Sequence, residues 1–180
     1  MYGEKRAFFN ENQTLFDITD RDRLKVMHTR RIGSKPSYNC SESYNEEICN
    51  ESKQEYSDLD YALRYTQKEG GTEYGFFTAR EQDEDFSLGR AYYAARIRKE
   101  SNNKALGYML TYTDDPLLNR TAMVNAVDYD NIVNSKLRIY SILLHADAGD
   151  DSSIGFKGGM RYKPSKDDNH SLGFHYYGDD

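Results

Sequence analysis

The chain has no tryptophan, three prolines, two cysteines and no long apolar run in 180 residues. Each shortage closes off a class of answers. A membrane-spanning helix needs about 20 consecutive apolar residues, and nothing here approaches that; mean hydropathy is -0.91 and 30% of residues are charged. Basic residues are in deficit too. The net charge is -6 and the pI about 5.3, so no basic stripe marks a nucleic-acid partner. The opening residues do not read as a secretory leader: Met1 runs into Tyr2, Gly3, Glu4, Lys5 and Arg6 without an apolar core segment. The chain reads either as cytosolic or as a fragment. The lack of tryptophan leaves 16 Tyr and 8 Phe as the aromatic stock. Tyrosine-rich strands suit a barrel with interfacial girdles, and equally a soluble sheet that binds sugar.

Catalytic signatures are missing as well. There is no Ser nucleophile elbow, Walker loop or dinucleotide fingerprint. The histidines, His28, His145, His170 and His175, form no HExxH-type pair. Carboxylates are plentiful, yet a glycosidase pair is defined by separation in space, which sequence does not give. The acidic clusters around Asp83, Asp147 and Asp167 lack the spacing of a calcium loop and read as solvated turns. The expectation is a non-enzyme with no cofactor.

What is present is a ladder of strand-length segments. From residue 57 to 178 apolar and polar residues alternate, and Gly, Asn, Asp or Ser turns separate the rungs. The clearest rung puts Ile154, Phe156, Gly158, Met160 and Tyr162 on one face, and Gly155, Lys157, Gly159 and Arg161 on the other. Successive strand side chains point to opposite faces, so a period of two means a sheet with one greasy and one wet side. The other rungs are 58–68, with Leu59, Tyr61, Leu63 and Tyr65 on one face, 72–81, 90–99, 104–113, 121–129, 136–146 and 171–177. The phase of 72–81 is ambiguous, because Tyr74 and Phe76 lie on one face and Phe77 and Ala79 on the other. The run Ile139 to Leu144 has no clear facing. Residues 22–32 add a possible further strand, giving roughly nine. Residues 1–21 form an irregular lead-in, and 33–56 a long polar loop, either functional or mobile.

The predicted fold is a single all-β segment, an antiparallel up-and-down meander forming a partial transmembrane-type β-barrel. On its polar faces Arg64, Arg96, Arg98, Lys157 and Arg161 would line the lumen, selecting anions or pairing with Asp60 and Glu73. Arg30 and Arg31 would clamp an anion or anchor their loop. Cys40 and Cys49 lie in the polar loop, where a disulfide or two free thiols are the alternatives.

Several motifs carry a family resemblance. They are the opening Lys5-Arg6-Ala7-Phe8-Phe9-Asn10-Glu11, the cassette Arg30-Arg31-Ile32-Gly33, and the hairpin from Leu63 through Gly70-Gly71 to Gly75. The blocks Tyr93 to Arg98 and Lys104 to Thr111 add to them. The chain resembles a Gram-negative family of unknown function (domain of unknown function 5916) from Lys5 onward. That resemblance implies a C-terminal outer-membrane barrel, commonly behind a carbohydrate-binding domain similar to family-9 modules. It implies outer-membrane lipid as a partner, a link to carbohydrate binding or uptake, and a cell-outer-membrane location. The leader, the sugar-binding domain and the strands expected after Asp180 are not in this sequence, so the chain reads as a fragment of such a protein. The competing expectation is a soluble secreted β-sandwich or barrel that binds glycans through a tyrosine-rich face. Under the first reading the stripe Leu106, Tyr108, Leu110 and Tyr112 is exposed; under the second it is buried against another sheet.

Overall fold

The computed structural model describes residues 13–16, 18, 26–40 and 46–178. Eight strands follow one another: β1 (Leu59–Glu69), β2 (Thr72–Glu81), β3 (Ala91–Ser101), β4 (Lys104–Asp115), β5 (Arg120–Asn134), β6 (Leu137–Ala148), β7 (Asp151–Tyr162) and β8 (His170–Tyr177). They form one antiparallel sheet in strict chain order, an up-and-down meander that is not closed. The all-β antiparallel up-and-down meander is as predicted, and its sheet is open.

Turn chemistry explains the meander. Gly70 and Gly71 both take positive φ, the conformation a two-residue hairpin turn demands. Asn102 does the same between β3 and β4. Between β5 and β6 the Asn134 side chain accepts the Lys136 and Leu137 N–H groups at 2.9 and 3.0 Å.

Cross-strand register then sorts the side chains. On one face a row runs Tyr74, Ile97, Tyr108, Val127, Leu143, Phe156, Tyr176 across seven strands without a polar interruption. We call this the outer face, because most of its large residues are exposed: Leu63, Phe76, Leu106, Leu143 and Leu172 among them. On the inner face a row runs Gly75, Arg96, Met109, Ala126, Leu144, Gly155, Tyr177.

The core sits on the inner face. Leu15 and Phe16, from a single helical turn (Gln13–Phe16), pack with Ile18 and Ile32 against Phe77, Ala79, Tyr92, Ala94, Met109, Ala126 and Ile142. The described residues of the N-terminal segment therefore form a plug lying against the wall. It resolves both ambiguous phases. Phe77 and Ala79 face the plug while Tyr74 and Phe76 face outward, and Ile142 joins the core while Ile139 and Leu143 face outward.

Three expectations need correction. The possible strand at 22–32 is not one where it is described: Thr29–Arg31 is a 3₁₀ turn, and its Ile32 is buried in the plug. That leaves eight described strands rather than nine. Leu59 does not share a face with Tyr61; a bulge between them returns Leu59 to the core side. The polar loop is docked rather than free. It carries a short helix (Glu46–Glu51), and the Asn39 N–H donates to the Phe86 carbonyl at 3.1 Å. Cys40 and Cys49 are bonded, with Cα atoms 5.6 Å apart. The opening motif at residues 5–11 and most of the lead-in lie outside the described residues.

Candidate functional site

The polar chemistry of the molecule concentrates where plug meets wall, in two clasps. The first is built on Arg96. Its Nε donates to the Leu15 carbonyl at 3.0 Å, and its fork engages Asp128, with Nη2 to Oδ2 at 3.0 Å. Arg96 is on β3 and Asp128 on β5, so the fork reaches across β4. Gly107 makes the crossing possible. A Cβ there would sit 2.5 Å from Asp128 Oδ1 and 2.7 Å from Arg96 Nη2. Gly75 plays the same part for the plug itself: a Cβ would meet Leu15 Cδ2 and Phe16 Cζ at 2.7 Å. A bidentate guanidinium–carboxylate pair in a dry site is strong only when its remaining donors are satisfied, and the Leu15 carbonyl takes one of them.

The second clasp is built on Glu81, whose residue is 1% exposed. A buried carboxylate is tolerated only when its lone pairs are filled. Here the Arg90 Nε donates to it at 2.7 Å, the Arg90 Nη2 at 3.0 Å, the Tyr92 hydroxyl at 3.1 Å and the Gly33 N–H at 2.8 Å. Arg90 Nη2 also donates to the Ser34 carbonyl at 3.2 Å. The cassette Arg30-Arg31-Ile32-Gly33 is thus held by its backbone and by Ile32, not by its guanidiniums. The Arg30 and Arg31 side chains are exposed.

All five basic residues predicted for the lumen occupy inner-face register positions. They do not gather into one site. Arg96 is spent on the first clasp. Arg98 pairs with Glu100 along its own strand. Arg64 is half-buried opposite Phe77, and Lys157 is buried on β7. Arg161 is half-buried, and its Nε has no hydrogen-bond partner. Asp60 and Glu73, the expected partners, pair instead with Arg80 and Lys68. Among the described residues, no three His, Cys, Asp or Glu side chains converge as a metal site.

Sequence reading missed Glu81 and Asp128, which lie at ordinary strand positions. A signal was present all the same. Phe77, Ala79, Ala94, Met109 and Ala126 put apolar groups on the nominally wet face of β2 to β5, which only makes sense if something covers that face.

Beside the second clasp lies a cavity of about 520 Å³. Plug residues Val26, Met27, His28, Arg31 and Ile32 form one side, and wall residues from β2 to β6 the other. No protein-family model, curated protein or solved structure matches this chain.

Proposed function

We propose that the chain is a plugged wall segment of a Gram-negative outer-membrane β-barrel, non-catalytic and tied to carbohydrate binding or uptake. The observation that carries the membrane reading is the outer belt. The Leu106 to Tyr112 stripe spans roughly 20 Å along its strand at about 3.4 Å per residue. Outer-membrane barrels carry an outward apolar band about 25 Å tall. A monomeric soluble sheet does not leave a seven-strand aromatic and aliphatic row uncovered, because patches of that size drive association. The belt has no second sheet over it among the described residues, which favours lipid over the sandwich alternative. The carbohydrate link rests on the motif resemblance alone.

The plug bears on the barrel's size. Eight strands closed on themselves leave an interior just wide enough for wall side chains. Leu15, Phe16, Ile18 and Ile32 already occupy the inner side here. The reading therefore includes further strands between β8 and β1 in the complete barrel.

The test is refolding with and without detergent or lipid, followed by far-UV circular dichroism and sedimentation. Sheet signal only with detergent, and aggregates without it, is the expected result. A monodisperse, cooperatively folding monomer in buffer would overturn the reading and turn attention to glycan binding on the tyrosine face.

A further inference from the structure

We propose that the plug–wall cavity is a binding site for a small organic anion, a carboxylate carried on a ring-sized apolar body. The site is two-sided in chemistry. Phe77, Val124 and Leu144 of the wall and Val26, Met27 and Ile32 of the plug give it apolar walls. Guanidiniums line it as well: Arg31 from the plug, Arg90 from the entry to β3 and Arg120 from β5. Arg90 is committed to Glu81. Arg31 and Arg120 have no ion pair among the described residues, and both are exposed while lining the cavity, which places them at its mouth. Among the described lining residues Asp115 is the one carboxylate, and its Oδ1 accepts the Leu118 N–H at 3.2 Å. The described lining residues are net positive.

Pockets for small ligands are mostly apolar, with a few placed polar groups that fix orientation. Guanidinium forks suit a carboxylate, which they bind bidentately. The volume, about 520 Å³, lies within the range of roughly 300–1,000 Å³ seen for such pockets. The two free forks come from different bodies, one from plug and one from wall. An anion held by both would tie the plug to the wall at a third point. This does not rest on the membrane reading, since the cavity faces the plug and not the outer belt.

The probe is 2-naphthoate, with the neutral 2-naphthamide as an equal-sized control. Each is titrated calorimetrically into the full refolded chain, with protein-free medium as the blank. Naphthoate should bind one per chain, at least tenfold tighter than the amide. Arg120→Gln and Arg31→Gln should each weaken naphthoate about tenfold and leave the amide unchanged; both residues are exposed, so folding should survive. Ala122→Phe, which fills the cavity, should abolish binding of both. Equal binding of acid and amide, no binding of either, or an undiminished naphthoate affinity in Arg120→Gln would overturn the proposal. The refolding experiment reads sheet formation with lipid and does not depend on this ligand, so either idea can fail alone.

Discussion

The two ends of the sheet obey the same alternation and bury different things. On β2 and β3 the inner face is shut: Phe77, Ala79, Tyr92, Ala94 and Arg96 are all buried. On β8 both faces are open, and every residue from His170 to Tyr177 is exposed. Strand sequence alone does not make this difference. The plug does, because its described residues pack over β2 to β6. Where the plug sits, the inner face has small residues or apolar ones, and the buried charges are clasped. At the exposed end, the inner face of β8 carries Ser171, Gly173, His175 and Tyr177.

The largest effect that would sharpen this contrast comes from Glu81→Ala. It leaves the Arg90 Nε and the Gly33 N–H without their carboxylate acceptor, while the Arg90 Nη2 keeps the Ser34 carbonyl and the Tyr92 hydroxyl keeps the Arg31 carbonyl. Breaking a buried pair this way costs about 3–5 kcal/mol. Trypsin should then nick the chain at the exposed Arg30 or Arg31 about a hundredfold to a few thousandfold faster than in the parent, as each 1.4 kcal/mol is a factor of about ten. Unchanged cleavage would mean that the apolar contacts hold the plug without the clasp.

Next comes a pair of aromatic truncations. Phe77→Ala should cost about 3–5 kcal/mol, the usual range for emptying a buried Phe site, and should lower hydrogen-exchange protection at the Ile32 and Ser34 amides. Phe174→Ala, on the open strand, should leave those amides unchanged. Equal loss of protection in both variants would erase the distinction between the two ends.

The smallest effect compares two inner-face glycines. Gly75→Val drives a side chain into Leu15 and Phe16 and should cost about 1–3 kcal/mol, as overpacking does. At Gly173 the nearest atom to a Cβ is the Tyr140 hydroxyl at 3.7 Å, ordinary contact. Gly173→Val should therefore shift the denaturation midpoint far less. A reversed order would mean the plug adjusts freely to the wall.

Most of the sheet was legible because period-two alternation and turn residues act locally. The strands 104–113 and 153–163 lie within β4 and β7 to within a residue or two, and their facing is as read. The plug was not legible, because its contacts are long-range. Leu15 and Arg96 are 81 residues apart, and Gly33 and Glu81 are 48 apart. Residues 22–32 misled because Leu24, Val26 and His28 alternate as a strand would, whereas Ile32 is buried by the plug and not by a ladder. The disulfide was legible as one of two alternatives for Cys40 and Cys49, and the two are bonded.

The central claim is that the outer face meets lipid and the inner face does not. Leu172 and Ser171 are adjacent on β8, both exposed and on opposite faces. Each is replaced by cysteine in turn, labelled with a small fluorophore in the oxidised protein, and placed in vesicles. The account predicts that brominated acyl chains quench the label at 172 and aqueous iodide does not, with the order reversed at 171. Iodide quenching of equal strength at both positions, with none from the acyl chains, would contradict it.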